Sequence, residues 1–169
     1  LDFTQHMDGL VEFDAGERIA RTQPGLRLGD LNGALADDGL KFAPDPAWGD
    51  KSVIGGAIGN NSTGSHSLKY GKTDAYIESC EVVLADGTVT EFGEVTIGEL
   101  RERADGEGIE AAIASEVVRI LDDEREAIRE AYPNLKRNVS GYNLDRLVEE
   151  AGEPGMDTEG DDEAGRDDR

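Results

Sequence analysis

The sequence has one cysteine, Cys80, and two histidines, His6 and His66, among 169 residues. That scarcity excludes an internal disulfide framework and a cysteine-ligated cluster within the chain, and the two histidines lie too far apart in sequence to suggest a metal set. No apolar run approaches the roughly 20 residues a membrane-spanning helix needs. The first residues lack the basic-then-apolar pattern of a secretory signal. Positive charge is also in short supply: 17 basic against 38 acidic side chains leave a net charge of −21. A surface of that sign repels phosphate, which argues against binding to nucleic acid or to an anionic membrane. Lysine is the rarer base, with five against twelve arginines.

Acid-rich, lysine-poor surfaces suit a salt-filled cytoplasm, where carboxylates hold water and charge repulsion is screened within a few ångströms. The excess acid runs along the whole chain. No acidic cluster has the spacing of a calcium loop, so a solvated, halophile-type surface is the preferred reading. The apolar fraction is low, 37%, but it is gathered into periodic blocks, and the length suffices for a real core. The chain opens at Leu1 inside what reads as structured sequence, which suggests a fragment or an excised region.

Val11–Asp14 and Arg18–Gln23 read as strands around an Ala15-Gly16 turn. Leu28, Leu31 and Leu35 recur on one helical face, and Gly39 marks a stop. Pro44-Asp45-Pro46 must be loop. Tyr76–Ala85 and Thr88–Phe92 read as a hairpin around Asp86-Gly87. Residues 109–132 carry the clearest helical stripe (Ile109, Ile113, Val117, Ile120, Leu121, Ile128, Tyr132), ended by Pro133. A short helix starts near Asn143, with asparagine as its cap. Residues 151–169 lack apolar periodicity and read as an acidic disordered tail or surface insertion.

The least ordinary stretch is Ser52–Gly71, SVIGGAIGNNSTGSHSLKYG, with five glycines and almost no charge. An exposed loop in this protein would be expected to carry acid. Small residues let backbone approach a ligand closely, and NH dipoles can substitute for lysines in holding an anion such as a pyrophosphate. The stretch is neither a P-loop nor a GxGxxG turn. Taken alone, tight packing against neighbouring strands explains it about as well.

Order and spacing add more. Pro44-Asp45-Pro46, the IGGAIGNNSTGSHSLKYG block, Asp74 and a strand ending VVLADG together resemble the FAD-binding domain of the vanillyl-alcohol oxidase type, or p-cresol methylhydroxylase (PCMH) type. The resemblance is nearest to the flavin subunits of D-lactate dehydrogenase and glycolate oxidase, and to flavoproteins fused to an iron–sulfur module. LDFTQHM, the QPG turn and RNVSGYNLDRL (Arg137–Leu147) are similar to segments of the same proteins.

The resemblance implies an α+β fold of mixed strands flanked by helices. Residues 1–150 would be a partial PCMH-type domain, incomplete at both ends because neither a PxGGGT-type nor a GSEGTL-type segment is present. It implies FAD as cofactor. Pro44, Asp45 and the loop to Ser52 would lie along it, and Gly55 and Gly56 would approach its pyrophosphate. Asn60, Asn61, Ser62, Gly64 and Ser65 would line it, His66 and Tyr70-Gly71 would close the loop, and Ile77 would pass near the adenosine half. The parent activity would be oxidation of a 2-hydroxy acid such as D-lactate or glycolate. Electrons would pass to an iron–sulfur domain or subunit or to a quinone, in the cytoplasm or at the inner face of the membrane. No catalytic acid or base is expected within this chain, because the family keeps its catalytic histidines in a domain it does not contain. The alternative is a non-catalytic fragment that binds FAD weakly or only associates with a partner chain. Cys80 is expected to be a small apolar strand residue, His6 and Asp74 structural, and Trp48 and Tyr142 either packed or at a ligand edge.

Overall fold

A computed structural model of the chain describes residues 2–45, 48–132 and 142–152. The expected tail from residue 153, the expected stop at Pro133 and the Arg137–Gly141 part of the RNVSGYNL segment lie outside the described residues. The chain divides into two units, Leu1–Ile77 and Glu78–Arg169.

In the first unit, strands β1 (Leu10–Asp14) and β2 (Ile19–Thr22) pair antiparallel, with Phe13 opposite Ala20 and an irregularity between Leu10 and Glu12. Their turn is fixed by the Asp14 carboxylate, which accepts from the amides of Gly16 and Glu17. The Pro24-Gly25 turn then lies against the opening segment. The Gly25 amide donates to the Met7 carbonyl at 2.7 Å, and a β-carbon on Gly25 would meet the Phe3 carbonyl oxygen at 2.3 Å. Glycine is therefore the residue this contact tolerates. Helix α1 (Leu28–Leu35) buries Leu28, Leu31 and Leu35, the stripe its spacing predicts, against Leu26, Ile54 and Ala57. It ends through a turn of 3₁₀-helix at Ala36–Asp38 and a left-handed Gly39, φ 71°. Phe13, Ala20, Leu40, Phe42 and Ile58 pack around this core.

The glycine-rich block differs from the expected loop. Ile54–Gly59 forms helix α2 and Ser67–Tyr70 a single turn, α3. Glycine is a poor helix former, but Ile54 and Ala57 on one face reach the core and stabilise the turn in spite of it. A 3₁₀ turn, Thr73–Tyr76, closes the unit, so the strand expected from Tyr76 starts three residues late.

In the second unit, β3 (Ser79–Val83) and β4 (Val89–Gly93) pair antiparallel around Gly87, φ 88°. The fold class is α+β. Among the described residues the strands form two separate hairpins, each strand paired with the one its own tight turn connects, in place of the mixed sheet expected.

Helix α4 (Ile97–Ala104) was not legible from periodicity, being short and dominated by Glu and Arg. Thr96 and Glu99 nonetheless form a complete capping box at its start. The long stripe is two helices, α5 (Gly108–Asp123) and α6 (Arg125–Ala131), broken at Glu124. Its most buried positions on α5 are Ala111, Ala114 and Leu121, where α4 packs closely, while Ile113 is exposed. Helix α7 (Leu144–Glu150) starts after Asn143 as expected, although the asparagine side chain makes no cap bond. Val148 packs with Leu121 and Ile128. The Arg125 guanidinium donates to the carbonyls of Leu121, Val148 and Gly152 and ties α7 to α5 and α6.

Candidate functional site

The uncharged block is held at three places. At its start, the Leu28 amide donates to the Ser52 carbonyl (2.8 Å). The amides of Ile54 and Gly55 donate to the carbonyls of Leu26 (2.9 Å) and Pro24 (2.8 Å). A β-carbon on Gly55 would lie 2.8 Å from the Pro24 ring. The bare α-carbon of Gly55 is thus taken up by packing on the QPG turn. Gly56 is different: it is exposed, and its β-carbon would meet nothing closer than 3.4 Å.

The second place is the far end of the block. Pro44 is fully buried and Asp45 is left-handed, φ 46°. Their backbone lies directly on Gly64, where a β-carbon would fall 1.6 Å from the Asp45 carbonyl oxygen and 2.7 Å from that of Pro44. The buried Ser67 hydroxyl accepts from the Gly64 amide at 2.7 Å and donates to the Pro44 carbonyl at 3.4 Å. His66 Nδ1 stands 3.0 Å from Asp45 Oδ2, and Lys41 Nζ 3.7 Å from the same oxygen. The His66 side chain is 52% exposed, so this contact lies in reach of solvent and serves orientation more than stability.

The third place is the middle. Asn61 is also left-handed, φ 45°. Its side-chain amide donates to Asp74 Oδ2 at 2.9 Å and its side-chain carbonyl accepts from the Asp74 amide at 3.0 Å. Thr73, 1% exposed, donates to the Ser62 carbonyl through both its amide (3.2 Å) and its hydroxyl (2.9 Å). The Ser62 hydroxyl donates to the Asn60 side chain at 2.5 Å. The Tyr76 phenol donates to the Tyr70 carbonyl, and burial, with Tyr70 nearby, pushes its pKa up.

Of the residues singled out, the structure thus brings Pro44, Asp45, Gly64 and His66 into one cluster and Asn60, Asn61 and Ser62 into a second. Ser65 is exposed beside the first. Gly71 takes φ 83° at the end of α3, and its amide bonds the Ser67 carbonyl. Ile77 is half-buried at the end of the 3₁₀ turn and joins neither cluster. Ser67 and Thr73 went unnoticed in the sequence. Their signal was available: they are hydroxyls at the edge of a stretch whose backbone needs partners.

Two non-glycine residues in left-handed conformation within one loop system mark stored strain, which side-chain clamps make tolerable. Among the described residues the amides of Gly56, Thr63, Ser65 and His66 make no hydrogen bond, so not all the donors of the block are spent on neighbouring segments. Such a set, small and uncharged, can receive an anion without a lysine.

Elsewhere the sequence expectations divide. Cys80 is half-buried on β3, and burial pushes its thiol pKa up, as befits an inert strand residue. Asp74 bonds the side chain of Asn61 and the amide of Ala75. Trp48 and Tyr142 are 77% and 84% exposed, so neither is packed among the described residues. His6 is exposed. Among the described residues no group of three or more His, Cys, Asp or Glu side chains could hold a metal ion. No described helix is long and apolar enough to cross a membrane. A mainly apolar hollow of about 120 Å³ in the second unit is lined by Phe92, Leu100, Ile113 and Val117 among others, with the Arg103–Glu110 ion pair as its charged part.

Comparison with known proteins gives a match to the FAD binding domain family over residues 1–93. The chain is similar to D-2-hydroxyglutarate dehydrogenase of Haemophilus influenzae, 29% identical over 155 residues, which is 89% of this chain and 15% of that protein. It is similar to glycolate oxidase subunit GlcD of Bacillus subtilis, 40% identical over 89 residues, 53% of this chain and 19% of that one. It is also similar to D-lactate dehydrogenase of Archaeoglobus fulgidus, 33% identical over 129 residues, 73% of this chain and 29% of the relative. The chain spans about a seventh of the D-2-hydroxyglutarate dehydrogenases it matches.

Proposed function

The chain belongs to the FAD binding domain family, and from that premise we propose that its glycine-rich block forms one wall of the flavin site of a 2-hydroxy-acid oxidoreductase. The observation that carries this reading is the combination at 44–66. The Pro44-Asp45 backbone is clamped on Gly64, two left-handed residues are fixed by side chains, and four amides of the block are left with no hydrogen bond among the described residues.

The residues fit the cofactor. Gly56, exposed and with only the Val53 side chain beside its α-carbon, and the amides of Thr63, Ser65 and His66 would face the pyrophosphate. Hydrogen bonds from oriented NH groups hold a phosphate without adding positive charge, which matters in a chain of net charge −21. Ser52 and Gly55 would set the height of that wall through their bonds to the 24–28 segment. Asn60, Asn61 and Ser62 would line its middle, and Pro44, Asp45 and Gly71 its ends, with Ile77 toward the adenosine half. When bound, FAD supplies two-electron oxidation of the carbon bearing the substrate hydroxyl. This chain's own share would be to bind and orient, with His66 Nδ1 standing against Asp45.

The relatives support the substrate class, since their names cover D-2-hydroxyglutarate, glycolate and D-lactate. All three are 2-hydroxy acids. The likeness to the first of them runs over nine-tenths of the chain, which favours a working part of such an enzyme over an inert fragment. We place the electron acceptor in an iron–sulfur module or a quinone, on the likeness to fused flavoproteins.

Titrating FAD with this protein in molar potassium chloride tests the reading. Saturable quenching of flavin fluorescence, with a shifted visible band, is the expected result. Flavin fluorescence unchanged up to saturating protein would refute it.

A further inference from the structure

We propose that Asp74 is a positioning residue for the flavin wall, acting by holding Asn61 in its left-handed conformation; the inference rests on the reading that residues 60–66 line FAD. A residue with a β-carbon disfavours positive φ, and asparagine tolerates it chiefly where its side chain gains local hydrogen bonds. Here both ends of the Asn61 side-chain amide are used on one residue thirteen positions away. Nδ2 donates to Asp74 Oδ2 at 2.9 Å, and Oδ1 accepts from the Asp74 amide at 3.0 Å. The next residue, Ser62, is gripped by Thr73 through two further bonds to its carbonyl. The 73–74 corner therefore fixes two consecutive loop residues, and with them the direction in which the chain leaves for Thr63 and Gly64.

The corner is itself well anchored. Thr73 is buried, and the second carboxylate oxygen of Asp74 accepts from the Ala75 amide at 3.0 Å. The carboxylate is thus engaged on both oxygens and is not presented to a ligand as a free charge. Asp74 would act on flavin affinity through the backbone at Asn61.

That separation makes the idea testable, because glycine adopts the same φ without a clamp. FAD affinity, read by fluorescence quenching with thermal melts as a fold check, would be compared in wild type, D74A, N61A, N61G and N61G/D74A. D74A is expected to weaken binding about tenfold, from the lost bonds and the freed backbone. N61G/D74A should recover most of that loss, and N61A should bind at least about threefold worse than N61G. Should D74A not fold, the N61A and N61G pair decides alone. Wild-type affinity in D74A, a loss that N61G does not restore, or equal losses in N61A and N61G would each overturn the inference while leaving the flavin site in place. Failure of the wild-type protein to bind FAD would overturn both.

Discussion

Gly64→Ala is the most severe single change the glycine-rich block can suffer. Its β-carbon would be built 1.6 Å from the Asp45 carbonyl oxygen and 2.4 Å from the carbonyl carbon. Both are backbone atoms, so no rotamer change relieves the overlap. The segments must part by about 1.4 Å before the contact reaches 3.0 Å, the shortest a real β-carbon makes. Opening them strains the bonds that Ser67 makes to both sides, from the Gly64 amide and to the Pro44 carbonyl. Overpacking of this kind costs about 1–3 kcal/mol, and a weakened buried hydrogen bond about 1 kcal/mol more. A loss of about 2–4 kcal/mol is therefore expected, or a fall in melting temperature of roughly 4–16 °C for a chain of this size. FAD affinity should fall with it, because the 44–45 backbone can no longer close on the loop. Gly59→Ala is the matched control. That position faces open space at the end of α2, where alanine is the better helix former, and stability should stay level or rise by up to about 1 kcal/mol. Differential scanning fluorimetry of the two variants in molar potassium chloride measures the contrast. A Gly64→Ala protein melting within a degree of wild type would show that the Pro44-Asp45 backbone does not rest on Gly64.

Two further outcomes follow from groups outside the block. Thr96→Ala removes the capping box of α4 and should cost about 1 kcal/mol, read as a fall of roughly 2–4 °C in melting temperature. The Thr96 amide and hydroxyl hold the Glu99 carboxyl below the usual glutamate range. That contribution is present at neutral pH and is lost as pH falls through the lowered value, so the melting difference between wild type and variant should shrink in acid. Cys80 should react with iodoacetamide at neutral pH several-fold more slowly in the folded chain than in urea, since burial raises its thiol pKa and shields it; equal rates would place Cys80 on the surface.

The elements legible in the sequence were those whose periodicity is carried by large apolar residues. Leu28, Leu31 and Leu35 mark α1, and the two hairpins announce their turns with Ala15-Gly16 and Asp86-Gly87. Helix α4 was missed because it buries little and is held by its cap and by α5, so Thr96-x-x-Glu99 was the only local sign. The break at Glu124 escapes the sequence because the apolar stripe continues across it, and Glu124 leaves the helical backbone at φ −113° with no residue type that would mark a stop. The glycine block stands out by its lack of charge but gives no sign of helix, because helix propensity ranks glycine low. What overrides propensity is tertiary: Ile54 and Ala57 face the α1 core. Within the site, the identity of the participating stretch was legible. Its clamps were not, because Ser67 to Pro44 and Asp74 to Asn61 join residues 23 and 13 positions apart, and nothing in local spacing brings them together.

Amide hydrogen exchange with and without FAD tests the flavin wall most directly. The free protein should exchange rapidly at Gly56, Thr63, Ser65 and His66, whose amides make no hydrogen bond among the described residues. Added FAD should slow exchange across peptides covering 53–66 and leave the α4–α5 hairpin unchanged. Exchange in 53–66 that is unaltered by saturating FAD, or protection confined to the second unit, would contradict the assignment of this block to the cofactor.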